Sequence, residues 1–490
     1  MKVGIKIACI FFAILLAGCD EDLESINYDE INPSIFPSSE ADVEALVAAA
    51  YYPLRGSYGD GIHSTSENGL MFVLDATTEI LQGAYGLQQT ASYHTYNPTI
   101  TGVTRYYDVF YNKISSMTLN IDRIQNSDVN DNIKAQAIAE IQCARGLLSY
   151  ELFDLYGPIV VAPLEVLQNP LQEEPLARLP YDEMVSFIEN DLLAAAENLK
   201  SPQDTPYGRF SSGMARMMLI RLYLHEKRWT EVEQQADLIM NMNYYELDPD
   251  YLSLFSTEAP VDSKEIIWSI PADYAGTVEN QWQLMALPNN FPERGGYGTI
   301  QSSWQFYDSF EDDDVRKTYL IAEYTGSDGV TYNRDNPGAI MQLGPIPLKI
   351  DADADRTAAL TTVDIVMYRY ADVILSKAEA IANEQGAPTQ EAVDLVNEVR
   401  DRAGISEVAL TDYTGLDSFN DLILEERSHE YWCENGQYRA DLIRHGKYVE
   451  HANELNGTAS QSAEYKELFP FSLARISEGK GEFLQNPGYN

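Results

Sequence analysis

Two helical stripes of small residues, separated by one short turn, constrain this chain more than any other stretch. Ala371, Leu375, Ala378 and Ala382 fall at i, i+4, i+7 and i+11, one face of a helix. Gly386 suits a helix stop, and Pro388 can open the next helix. There Ala392, Val396, Val399 and Ala403 repeat the spacing until Gly404 ends it. Small residues on facing stripes let two backbones approach closely, so residues 364–403 read as an αα-hairpin.

The same pattern recurs upstream. Ser39 and Asp42 have capping-box spacing and open a helix to about Leu54, broken by the glycines from Gly56 to Gly61. Val103, Tyr107, Phe110, Ile114, Met117, Ile121 and Ile124 form a long apolar stripe. Ala137, Ile141, Ala144, Leu148, Leu152 and Leu155 form another, stopped at Gly157-Pro158. Pro180 starts the next helix, with Asp182 and Glu183 in its favourable first turn. Four pairs can be laid out: 40–54 with 102–125, 133–156 with 180–199, 211–226 with 229–242, and 364–384 with 389–403. Helix, short turn, helix, with an aromatic at the turn, resembles a tetratricopeptide repeat. The expected fold class is therefore mainly α, a tetratricopeptide-like scaffold of about four helix pairs with a loop-rich irregular part.

The irregular part has two stretches. Residues 64–101 show no helical period. Between 265 and 350, Ile266–Ile270 reads as a short strand and 304–310 as a short helix. Pro288, Pro292, Gly295, Gly296 and Gly298 mark a long loop, and 326–344 another loop or hairpin. Loops this long inside a compact fold are usually functional.

The N-terminal segment reads as a targeting signal. Lys2 and Lys6 precede an apolar run, residues 7–16, too short to span a bilayer. Leu16-Ala17-Gly18-Cys19 is a lipobox, so residues 1–18 are expected to be removed and Cys19 to carry acyl chains such as palmitate. The alternative is an ordinary secretory signal that contains a cysteine; charge, length and cleavage residues together favour the lipobox. Acyl chains contribute about 0.8 kcal/mol per buried CH₂. Residues 19–38 would form a lipidated tether, acidic at Asp20, Glu21 and Asp22.

Composition excludes several functions. The formal charge of −43 becomes −45 once Lys2 and Lys6 are removed. Such a chain should not bind nucleic acid, whose phosphates demand Lys and Arg. No nucleotide loop, serine-hydrolase elbow, C-x-x-C or H-E-x-x-H is present, so no cofactor or metal is expected. Asp351, Asp353 and Asp355 resemble the start of a calcium loop, but Arg356 and Thr362 stand where an EF-hand needs Gly and Glu. A calcium site of another kind stays open beside a plain solvated loop. Cys143 and Cys433 are expected as two separate core thiols rather than a bridge.

Two groups of side chains carry chemistry. Glu425, Glu426, Glu430 and Glu434 could be paired carboxylates of a glycosidase, but Arg427, Arg439 and Arg444 nearby favour a structural ion-pair network, so no catalytic residue is assigned. The aromatics are more informative, with 32 Tyr, 16 Phe and 5 Trp. A sugar offers an apolar C–H face to a flat ring, while amides and charges bond its hydroxyls. Two loops combine those residue types. The first holds Tyr85, Gln88, Tyr93 and Tyr96, and the second Trp282, Asn289, Arg294 and Tyr297. Loops 82–97 and 282–298 are expected to lie together and form one shallow, exposed ligand site.

Several motifs also carry a family resemblance. They are R-Y-A-D-V at 369–373, A-E-A with N-E at 378–384, and V-R-D-R-A-G at 399–404. Glu426-Arg427, Glu430 and the run Y-R-A-D-L-I-R at 438–444 follow, and the chain closes on Q-N-P-G-Y at 485–489. Together these resemble the SusD/RagB family. The resemblance implies an N-terminal part, 39–264, and a C-terminal part, 265–490, forming one compact unit. It also implies ligand aromatics drawn from the two loop regions. The implied protein is no enzyme but a lipoprotein of the outer membrane, facing the cell exterior. It would capture oligosaccharides for polysaccharide utilisation and pass them to a SusC-like TonB-dependent transporter. A RagB-like peptide-capture protein, a glycan-degrading surface lipoprotein and a repeat scaffold without a small ligand are the alternatives.

Overall fold

The structure is a computed structural model that describes residues 36–56, 61–66, 69–83, 86–169, 171, 175–257, 261–272, 280–292, 294–339, 341–350 and 361–489. Cys19 with its signal and the tether as far as residue 35, Tyr85, and the Asp351, Asp353, Asp355 run lie outside the described residues.

Helix α1 (Glu40–Tyr51) opens on the capping box that its sequence predicts. The Asp42 N–H donates to Ser39 Oγ at 3.2 Å, and the Ser39 N–H donates to Asp42 Oδ2 at 3.0 Å. Residues 64–101 are less irregular than expected. They contain α2 (Leu70–Asp75), β1 (Gln82–Gly83) and α3 (Gly86–Ser92). Every residue of α2 is buried, so it has no polar face and hence no period to read.

The long helices are α4 (Thr101–Gln125) and α5 (Asp131–Tyr156). Then come the one-turn α6 (Leu164–Leu167), α7 (Tyr181–Asn198), α8 (Ser212–His225) and α9 (Trp229–Met240). The expected first pair is corrected: α4 packs chiefly on α5, and α1 lies on α5 more than on α4. The short connection between α4 and α5 makes them antiparallel neighbours, whereas the long segment after α1 imposes no such pairing. The other pairs hold: α5 with α7, and α8 with α9. At the α5–α7 crossing, a Cβ on Gly146 would stand 2.7 Å from Leu192, so glycine lets these helices close up.

Strand β2 (Ile266–Ile270) appears where predicted. After it come α10 (Trp282–Ala286), β3 (Ile300–Gln301), α11 (Trp304–Ser309), β4 (Leu320–Ile321), β5 (Glu323–Thr325), β6 (Thr331–Asn333) and β7 (Ile346–Pro347). Strand β8 (Ile365–Arg369) pairs antiparallel with β2, Ile270 opposite Ile365 and Ser269 opposite Val366. The helix expected from 364 therefore starts only at Tyr370. Ile365, Val366, Met367 and Tyr368 are all buried, and a β-branched and aromatic run of that kind suits a strand.

Helices α12 (Tyr370–Gln385) and α13 (Gln390–Arg402) form the expected hairpin. Gly386 ends α12 with φ 69°, a left-handed conformation that favours glycine. Thr389, not Pro388, caps α13, its Oγ1 accepting from the Ala392 N–H at 3.1 Å. The chain closes with α14 (Leu416–Tyr431), α15 (Gln437–Arg444), α16 (Tyr448–Asn456) and α17 (Leu473–Glu478). Cys143 and Cys433 are free and buried. Cys433 lies just past α14 with φ 57°, not on a helix as its neighbours suggest. One hydrophobic core runs from Val43 to Tyr489 and draws on both parts of the chain. A second core joins α12, α13 and α14.

Candidate functional site

Glu426 and Glu430 of α14, and Glu434 just past it, are locked into a buried ion-pair network, while Glu425 stays exposed. Arg369, the last residue of β8, donates to Glu430 Oε1 at 2.7 Å and to both oxygens of Glu434, at 2.8 and 2.7 Å. Arg316 donates to Asp314 at 2.8 Å and to Glu430 at 3.1 Å, and also reaches Glu426. Arg402 bonds Glu265 and Glu430, and the Lys349 ammonium meets Glu434 at 2.7 Å. Burial works to raise the Glu430 carboxyl, but Arg402, Arg369 and Arg316 outweigh it and hold it below the usual carboxylate range. A glycosidase needs one carboxyl kept protonated and both reachable by a sugar. Glu426 and Glu430 are 1% and 0% exposed and are held by arginines, so this cluster is a structural brace.

The two aromatic loops meet at their bases. Gln82 pairs with Gln301 and Gly83 with Ile300 in the two-stranded β1–β3 ladder. From there they diverge. The first loop runs toward the C-terminal segment. His94 bridges Thr77 O and Ser462 Oγ, each at 2.9 Å, and stacks on Tyr448. The Tyr93 carbonyl accepts from the Gln461 N–H at 2.9 Å. Burial pushes the His94 imidazole down to about 4.

Several expected ligand residues belong to the core. Trp282 is 0% exposed: its ring stacks on Phe72 at 4.6 Å and its indole N–H donates to Pro347 O at 2.8 Å. Tyr96 is also 0% exposed and donates to Lys466 O at 2.6 Å. Gln88 is buried. In this arrangement none of the three can offer a face to a surface ligand. Each sits on a short helix or beside one, where a loop was expected, and the apolar core claims its ring or stem. Tyr93 is half-buried.

The other expected residues of the second loop lie outside the core. Asn289 is exposed, Arg294 half-buried, and Tyr297 is 60% exposed. This loop is fastened to the β5–β6 hairpin. The Ser327 N–H donates to Asn290 O at 2.8 Å, and the Tyr324 hydroxyl donates to Asn290 Oδ1 at 3.0 Å. Phe291, Tyr324 and Tyr332 form a run of rings, with centroids 5.4 and 5.1 Å apart. Beyond the hairpin, Arg334 lies 4.3 Å over the Trp304 ring and donates to Asp308 at 2.7 Å. Tyr307 packs edge-on to Trp304. Trp304, Tyr307, Tyr324 and Tyr332 lie outside the ligand set expected from the sequence. For Tyr332 the available signal is the loop or hairpin reading of 326–344.

This surface joins aromatic rings, amides and guanidinium groups, the equipment for holding a polyhydroxylated chain. Among the described residues, no group of three His, Cys, Asp or Glu side chains is placed to hold a metal ion.

Residues 317–489 match the model of the SusD family. Residues 27–224 match a model described as starch-binding and associating with the outer membrane. The chain is 24% identical over 512 residues to SusD-like protein P2 of Formosa agariphila, covering 99% of each. Its fold superposes on the crystal structure of a SusD superfamily protein from Parabacteroides distasonis with a TM-score of 0.77 at 22% identity, over 92% of this chain and 100% of that one. Surface glycan-binding protein A from Bacteroides thetaiotaomicron, solved in complex with laminarihexaose, superposes with a TM-score of 0.72 at 19% identity, over 91% of this chain and 98% of that one.

Proposed function

The chain belongs to the SusD family, and we propose that it is a glycan-capture lipoprotein of the outer cell surface, not an enzyme. The observation that carries this reading is the exposed surface made by loop 282–298, the β5–β6 hairpin and α11. A relative of the same fold holds laminarihexaose, and one matching family model is described by starch binding. Cys19 supplies the lipid anchor, and the oligosaccharide passes to a SusC-like TonB-dependent transporter in the same membrane.

Capture followed by release favours modest affinity, on the order of micromolar to millimolar, or about −8 to −4 kcal/mol. The ligand set is Asn289, Arg294 and Tyr297 on the loop, with Tyr332 and Trp304 beside them and Tyr93 at the edge of the first loop. The test is a glycan array probed with the soluble protein lacking residues 1–19. A product assay on every glycan that binds separates capture from hydrolysis.

A further inference from the structure

Between α11 and the helices α14, α15 and α16 opens a cleft of about 320 Å³. Phe306 and Leu424 give it apolar walls, and Gln305, Ser309, Ser428 and Tyr438 give it polar ones. Its charged groups are Glu79, Asp421 and Glu425 against Lys447 and His451. Lys447 is turned to Asp421 at 3.5 Å, and among the described residues no lysine pairs with Glu79 or Glu425, although the Arg400 charge acts on Glu425. Glu79 lines the cleft and is 8% exposed. Its Oε1 accepts from the Tyr438 hydroxyl at 2.7 Å and faces His451 Nδ1 at 3.1 Å. Its Oε2 is buried and has no hydrogen-bond partner among the described residues. A buried carboxylate oxygen left without a donor is costly, so this one calls for a donor from outside the chain.

We propose that this cleft receives a protonated amine carried on a sugar ring, with Glu79 and Glu425 as its counter-charges. The cleft is about the size at which small-molecule sites begin, and it combines apolar walls with a few convergent polar groups. An ammonium donates up to three hydrogen bonds and accepts none, which suits Glu79 Oε2, whereas a neutral acetamide brings no charge to the site. His451 is the competing cation. Burial opposes its charged form, but the Glu79 carboxylate, with Glu454 and Glu450 nearby, outweighs burial and raises the imidazole above its usual range. The amine and His451 therefore contend for one carboxylate. This inference rests on the capture reading and names the ligand class within it.

The test is calorimetry at pH 6 with the β-1,4-linked tetramer of glucosamine and the tetramer of N-acetylglucosamine, on wild type, Glu79→Gln and Glu425→Gln. The expected result is a preference of about tenfold for the amine tetramer, lost in Glu79→Gln and reduced in Glu425→Gln. In Glu79→Gln the new amide oxygen can still accept from Tyr438; if circular dichroism shows that variant unfolded, the exposed Glu425→Gln decides alone. Equal binding of the two tetramers, or a preference that survives both substitutions, overturns the inference. In that case a neutral glycan bound on the array leaves the capture reading standing. If the amine tetramer and the whole array both fail to bind, the inference and the capture reading fall together.

Discussion

The Arg369 guanidinium stands 2.7 Å from Glu430 Oε1, tying the end of β8 to the middle of the α14 brace. Both side chains are fully buried, and Glu430 is shared with Arg316 and Arg402. A buried charge left without its partner costs more than the pair gained, about 3–5 kcal/mol. Arg369→Met should therefore lower stability by at least that much, because Glu265, Glu430 and Glu434 lose it together. Glu426→Gln, which leaves Arg316 and Arg400 short of one carboxylate, should destabilise less. It should neither create nor remove turnover. Urea unfolding checks the first two statements, and a product assay on the folded variant checks the third.

Asp75 gives a pH signature. It is fully buried, accepts from the Cys433 N–H at 2.9 Å, and burial pushes its carboxyl up to about 8 from an ordinary 3.8. The folded state thus holds a proton that the unfolded state releases near pH 4. Stability from this group is complete below that pH and is lost as pH rises toward 8, by up to about 1.4 kcal/mol per pH unit. Asp75→Asn does not titrate, so its stability relative to wild type should climb steadily between pH 5 and 8. Unfolding midpoints at four pH values suffice; a constant difference would show that Asp75 is ionised throughout.

Trp282 should report on folding rather than on ligand stacking. Its ring lies against Phe72 in the main core and its N–H is bonded to Pro347 O. Trp282→Ala should cost about 3–5 kcal/mol through the cavity it leaves. Ligand affinity per folded molecule should stay the same. Thermal unfolding and calorimetry on one preparation test both halves.

Cys19→Ala should abolish acyl labelling and release the protein from the membrane fraction. Labelling and retention equal to wild type would place the anchor elsewhere.

Helices with a polar and an apolar face were legible in the sequence, because period 3.6 marks them: the stripe of α4, the small-residue faces of α12 and α13, the Ser39 cap. Elements buried on every side were not. Neither α2 nor β8 has a polar face, so the first read as loop and the second as the start of α12. Pairing of α4 with α5 rather than α1 is decided by packing across long insertions, which periodicity does not encode. Composition singled out residues of the second loop that do lie outside the core: Asn289 and Tyr297 are exposed and Arg294 is half-buried. It could not separate them from Trp282 and Tyr96, because an aromatic outside a visible helix stripe looks the same whether it faces water or fills the core. Tyr332 and Trp304 join the surface through the hairpin and α11, contacts that exist only in three dimensions.

The most direct test of glycan capture is calorimetry with laminarihexaose, or with whichever array glycan binds best, on wild type, Tyr297→Ala and Tyr332→Ala. Each ring should contribute about 0.5–1.5 kcal/mol beyond its buried area. The account predicts that both variants stay folded, with wild-type melting temperatures within a few degrees, and that each binds about tenfold more weakly. Two folded variants that bind as tightly as wild type, or a wild type that binds no glycan at all, would contradict it.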